Sequence, residues 1–139
     1  MTFKSAFLFF GLMLFGAAQN SEQFKGRLAP VPIDATMRST VTGSGSMSAV
    51  LTGSRLSISG TFDGLSAPAT VARLHQGAMT GVRGPALSDL TISKATTGTL
   101  SGTLTLTGEQ VDNLKKGKLY IQIHSEKAPD GNLWGWLLR

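Results

Sequence analysis

The sequence predicts an antiparallel all-β fold, two packed sheets or a barrel, with one short helix in its C-terminal third. Three observations carry that expectation. Nearly every segment after the first two dozen residues alternates apolar with polar side chains, Gly- and Pro-bearing turn signals separate the alternating runs, and a single segment breaks the period. Side chains in a strand point to opposite faces in turn, so a period of two with abundant Ser and Thr marks strands with one buried and one wet face.

The runs can be taken in order. Phe24, Gly26 and Leu28 oppose Lys25 and Arg27. Leu56, Ile58, Gly60 and Phe62 oppose Arg55, Ser57, Ser59 and Thr61. Leu100, Gly102, Leu104 and Leu106 oppose Thr99, Ser101, Thr103 and Thr105. Turns are expected at Ala29 to Pro32, Thr42 to Gly45, Asp63-Gly64, Gly81 to Pro85 and Pro129 to Gly131. Eight or nine short strands follow, near residues 23–28, 37–42, 46–52, 55–62, 69–75, 88–94, 98–106, 118–124 and 132–138.

The exception runs from Thr107 to Gly117. Thr107 with Gln110 three residues on forms a capping box, Glu109 and Asp112 lie in the first turns, and Lys115 and Lys116 in the last. Gly117 stands where a helix ends in the left-handed conformation. Val111 and Leu114 would pin this helix over one end of the sheets.

Composition bounds the rest. At 139 residues the chain is one domain, residues 19–139, behind an N-terminal segment, 1–18, that reads as an export signal: Lys4, an apolar run from Ser5 to Phe15, and small residues Gly16-Ala17-Ala18. The apolar run is about half of the ~20 residues a spanning helix needs. We therefore expect cleavage after Ala18 and a periplasmic or secreted domain; retention of the segment would make it an anchor, and the protein an accessory subunit of a membrane complex. The chain has no cysteine, which rules out disulfides, thiolate metal ligands and thiol catalysis. Its stability must come from burial, and about 120 residues can bury roughly 65% of their unfolded surface. Formal charge is +5 and the cations are scattered, with Lys115, Lys116 and Lys118 as the one cluster, so a nucleic-acid partner is not expected.

The two histidines end two strands built alike, Val71-Ala72-Arg73-Leu74-His75 and Tyr120-Ile121-Gln122-Ile123-His124. Alternation puts Arg73 and His75 on one face, and Tyr120, Gln122 and His124 on one face, turned away from the core. In the last run Leu133 and Leu137 point inward, so Asn132, Trp134 and Trp136 point outward with them. Arg73, His75, Tyr120, Gln122, His124, Asn132, Trp134 and Trp136 are the candidate ligand-binding set: a shallow polar–aromatic patch for a protein or a polysaccharide. A cation-π contact of Arg73 with an indole would organise it. Exposed tryptophans at alternate positions otherwise imply a covering loop or helix.

Catalytic constellations are missing. The eight acidic residues are scattered singly, no nucleophile-elbow context surrounds any serine, and the glycines read as turn residues. No catalytic residue and no cofactor are therefore expected. A copper site at His75 and His124 is the alternative, but such sites take three or four ligands and Arg73 would set a fixed cation beside the ion.

Five blocks resemble the CHRD domain in order and spacing. They are Phe62 to Pro68 leading into Ala72 to Gly77; the Gly81 to Pro85 turn; Leu106 to Val111; Lys116 to Ser125; and Pro129 to Leu137. The resemblance spans Phe24 to Leu137 and implies an immunoglobulin-like sandwich related in outline to copper-zinc superoxide dismutase. Two departures bear on metal. Relatives read Ala-His-Ile-His where this chain has Arg73 at the earlier histidine, and Gly-Glu-Ile-Arg-Gly where it has Gly131-Asn132-Leu133-Trp134-Gly135. A metal cluster of that pair, the later histidine and the glutamate would lack two of its four groups here.

Overall fold

The computed structural model describes residues 20–139, so the expected export segment lies outside the described residues. Eight antiparallel strands follow: β1 (Ser21–Pro30), β2 (Ser44–Thr52), β3 (Arg55–Asp63), β4 (Ala69–Gln76), β5 (Ala86–Ile92), β6 (Gly98–Thr105), β7 (Leu119–Ser125) and β8 (Ala128–Trp136). One helix, α1 (Gly108–Lys115), joins β6 to β7.

The strands close into a barrel in the order β1-β2-β3-β6-β5-β4-β7-β8. Of the two architectures the patterning allows this is the barrel, which corrects the immunoglobulin-like sandwich that the family resemblance implies. Closure is short at both seams. β5 meets β6 only through Thr91↔Ser101 and Ile92↔Leu100, and β1 meets β8 through Ala29↔Trp134 and Pro30↔Leu133, with a further bridge at Lys25↔Leu138. Two four-stranded sheets, β1-β2-β3-β6 and β5-β4-β7-β8, are thus zipped along two edges, which removes most exposed strand edge.

Alternation does what it should inside. Phe24, Leu28, Leu56, Ile58, Leu74, Leu100, Ile121, Ile123 and Leu133 all point into one core and are essentially inaccessible. Each such side chain contributes about 1.5–3 kcal/mol of burial, and with no cysteine this interior is what holds the chain. Leu106, Leu114, Leu119 and Leu137 belong to the same cluster.

The helix forms as its caps dictate. Thr107 accepts from Gln110 N–H (3.1 Å) and the Gln110 side chain accepts from Thr107 N–H (2.9 Å), the reciprocal pair of a capping box. Gly117 closes it at φ 74°. Leu114 is fully buried and Val111 packs against the core, so the helix is pinned through the two residues expected to pin it.

Two local expectations give way. Residues 37–42 form no strand; Asp34 instead caps a 3-10 turn, Ala35–Met37, accepting from Thr36 N–H and its hydroxyl. The Thr36 hydroxyl bond also holds the Asp34 carboxyl below the usual carboxylate range. Pro129-Asp130-Gly131 lies within β8 rather than in a turn, and the β7–β8 hairpin reverses at Glu126-Lys127.

Candidate functional site

The register assembles most of the sequence-derived patch on the outer face of β5-β4-β7-β8, in two cross-strand rows. One runs Asp89–Arg73–Gln122–Trp134 and the next Ala86–His75–Tyr120–Trp136. Residues directly opposite on neighbouring strands lie about 4.5–5.5 Å apart, so each row is a line of contacts. His124 sits further along β7, opposite Val71, and Asn132 further along β8.

The aromatic side chains interlock. His75 stacks on Tyr120 with ring centres 4.8 Å apart and 18° between planes. Tyr120 lies 4.3 Å from Trp136, and Trp134 meets both Tyr120 (5.8 Å) and Trp136 (5.6 Å) edge to face. Such pairs add about 0.5–1.5 kcal/mol each beyond their burial.

This face is not the open surface that alternation suggests. Tyr120 is 1% exposed, Gln122 4% and Asn132 0%, while Trp134, Trp136, His75, His124 and Arg73 are half-buried. Two segments return over it. The loop between β1 and β2 contributes Val31, Met37 and Val41, which cluster with Ala128 and Trp134 into a second small core outside the barrel. The segment from Gly77 to Pro85, between β4 and β5, covers the Tyr120–Trp136 end.

Asn132 is a tie between layers. Its amide accepts from the buried Ser125 hydroxyl (2.7 Å) and donates to the Thr42 carbonyl (2.8 Å), fastening β8 to the loop that covers it.

The expected cation-π partner also changes. Arg73 Nε pairs with Asp89 at 2.9 Å, and it is Arg83, from the covering segment, whose guanidinium lies 5.4 Å from the Trp134 ring centre. Sequence reasoning missed Arg83 because it lies in a turn with no period to orient it. The Gly81 to Pro85 block was the one signal that the segment matters.

Each imidazole is committed to hydrogen bonds. A carbonyl only accepts, so His75 Nδ1 donates to Gly84 O (2.9 Å) and His124 Nδ1 donates to Pro129 O (2.8 Å). His124 Nε2 then accepts from the Gln122 amide at 3.2 Å. Three buried acceptors among the described residues have no hydrogen-bond partner within the protein: His75 Nε2, Gln122 Oε1 and, at the residue after His75, Gln76 Oε1. Burial chiefly, then the charges of His124, Arg73 and Arg83, holds His75 below the ordinary 6.5, while the bond to Gly84 pulls the other way.

The two histidines are not brought together. Four residues of strand, about 13 Å of rise, and the intervening Arg73–Gln122 row separate their positions, whereas two imidazoles on one ion each bind it at about 2.0–2.1 Å. Among the described residues no three His, Cys, Asp or Glu side chains converge as metal ligands.

Besides a depression of about 590 Å³ whose lining includes Arg27, Pro30, Ser44, Phe62 and Asp63, the opposite sheet carries an open groove of about 800 Å³ over β1-β2-β3-β6. Lys25, Arg27, Ser48, Ser59, Thr61 and Ser101 line it, with no aromatic ring, imidazole or carboxylate among the lining residues. Among the described residues no helix is long and apolar enough to cross a membrane.

No curated protein and no solved structure gives a significant match to this chain. The CHRD domain model matches residues 26–137, from the second half of β1 to the residue after β8. That match takes in every strand but the first residues of β1, the capped helix and both histidine-bearing strands, and on it the chain belongs to the CHRD domain family.

Proposed function

We propose that this chain is an exported, non-enzymatic CHRD-type module of the cell envelope that binds a protein or a polysaccharide through the outer face of β4-β7-β8. The observation that carries the reading is the Arg73–Gln122–Trp134 row. A half-buried indole and a half-buried guanidinium flank an amide whose oxygen is buried without a protein partner. A buried acceptor left unpaired costs about 1–3 kcal/mol, and a hydroxyl or N–H of a bound ligand would recover it. Aromatic and Arg side chains are also the residue types that most often anchor interfaces.

Burial divides the eight sequence-derived residues into two roles. Arg73, His124, Trp134 and Trp136 keep accessible surface and are the contact residues in this reading. Tyr120, Gln122 and Asn132 form the floor beneath them, and His75 fastens the covering segment.

The test is binding of the mature domain to an array of envelope polysaccharides, alongside affinity capture of envelope proteins. Arg73→Gln keeps a polar side chain and Trp134→Phe an aromatic one at their positions. Each should raise Kd for any captured partner about tenfold, or 1.4 kcal/mol. Partners that bind both variants as tightly as the wild type would move the site elsewhere. Intact mass of the native protein tests export, through loss of residues 1–18.

A further inference from the structure

The segment Gly77 to Pro85 is built as a strap. Its neck is closed by Gln76 N–H to Pro85 O (3.0 Å) and by two glycines in close approach. A Cβ at Gly84 would stand 1.8 Å from the Gln76 carbonyl oxygen, and one at Gly77 1.8 Å from that of Val82. Its far end is held by the Thr80 hydroxyl donating to Gly117 O at 2.6 Å. Gly77 N–H donates to Lys118 O (2.8 Å) at its root, and the side-chain fastenings of its inner end converge on Gly84. There Tyr120 Oη accepts from Gly84 N–H (3.0 Å) and donates to Gly84 O (3.1 Å), and His75 Nδ1 donates to that same carbonyl. Arg83 over Trp134 completes the closure, and Gly77 lies against the edge of the Trp136 ring.

We propose that this strap is a proton-released cover: it shuts the aromatic face while His75 is neutral, and protonation of His75 lifts it and uncovers Tyr120, Trp134 and Trp136. The proposal rests on the functional reading above only for what the uncovered face would then bind.

The second proton would go to Nε2, the nitrogen that is buried with no protein partner. Every charged group around it opposes that proton: Arg73 on its own strand, Arg83 in the strap and, once protonated, His124 on β7. The nearest carboxylate in register, Asp89, is already engaged by Arg73 and largely exposed. Tyr120 stacks on the ring face and offers no counter-charge. The Gly84 carbonyl favours the cation but is satisfied by the Nδ1 proton in either state. Lifting the strap removes Arg83 and admits water to Nε2, so the charged ring favours the open form. The sign follows: closure is complete above the ordinary 6.5 and is lost as pH falls below it.

The chain has two tryptophans, Trp136 against Gly77 of the strap and Trp134 beneath its Arg83, so their fluorescence reports the cover. Acrylamide quenching of the mature wild-type domain should rise roughly twofold between about pH 7.5 and about pH 5, with the far-ultraviolet circular dichroism unchanged. His75→Asn, which keeps an N–H donor near the Nδ1 position and cannot titrate, should flatten that rise. Tyr120→Phe, which removes the second fastening, should raise quenching already at neutral pH. A flat wild-type profile, a His75→Asn profile that rises like the wild type, or a rise that coincides with loss of the dichroism signal would each overturn the proposal. A domain that passes this test and captures no protein or polysaccharide at either pH retains the strap and loses the functional reading; a domain that binds equally at both pH values with flat quenching does the reverse.

Discussion

The two sheets of this barrel share an interior and wear opposite exteriors. On β1-β2-β3-β6 the outward positions include Lys25, Arg27, Ser46, Ser48, Ser57, Ser59, Thr61, Thr99, Ser101 and Thr103, all exposed. On β4-β7-β8 they are His75, Tyr120, Gln122, Asn132, Trp134 and Trp136, and none is exposed. Both exteriors follow from one period-two pattern. What differs is the chemistry of the outward residue, and through it whether a loop finds anything to pack against. Hydroxyls and the Lys25 and Arg27 cations are satisfied by water, so the first sheet stays bare. Rings are not, and they draw Val31, Val41 and the Gly77 to Pro85 segment over the second.

Truncation should expose this contrast most strongly at its centre. Tyr120→Ala removes a ring with three aromatic neighbours and both of its bonds to Gly84. It should cost about 3–5 kcal/mol by urea denaturation. Asn132→Ala leaves the Ser125 hydroxyl and the Thr42 carbonyl without their amide partner and should cost about 1–3 kcal/mol. Combined with Ser125→Ala it should cost less than the sum of the two single changes, since both delete one shared bond.

A pH titration sharpens the comparison at smaller amplitude. Because the folded domain keeps His75 neutral more firmly than the unfolded chain does, stability is full above 6.5 and declines as pH falls through the depressed folded value. The melting temperature should therefore drop between neutral and mildly acidic buffer, and His75→Asn should reduce that drop. Smallest of all, Ser59→Ala on the bare sheet should shift stability by no more than about 0.5 kcal/mol. Glu22→Gln, which loses the ion pairs to Lys115 and Arg139 at the barrel end, should leave the melting temperature nearly unmoved at physiological salt.

What was legible in the sequence was local. All eight strands overlap a run read by alternation, and the helix is read by Thr107, Gln110 and Gly117, because caps and periods act within a few residues. The one false strand, 37–42, shows the limit. Met37, Ser39 and Val41 alternate, yet Asp34 turns the chain just before them and Val41 docks on Ala128 and Trp134 from outside the barrel. Alternation assigned Tyr120, Gln122 and Asn132 to the correct side of the sheet and could not say that loops come back over it. For the same reason Arg73 stood in for Arg83: a strand residue carries its direction in its period, and a turn residue does not. The barrel seams were equally out of reach, since two residue pairs at the end of a strand leave no mark on its pattern.

The central claim is that one outer face is bare and the other is a closed second layer, and the absence of native cysteine allows a direct measurement. Ser59→Cys and Gln122→Cys, made singly, can be labelled under native conditions near neutral pH with a thiol reagent. The thiol at position 59 should react at nearly the rate of an unstructured peptide, and that at 122 should be slower by roughly two orders of magnitude or more, gated by opening of the cover. Equal rates at the two positions would contradict the account.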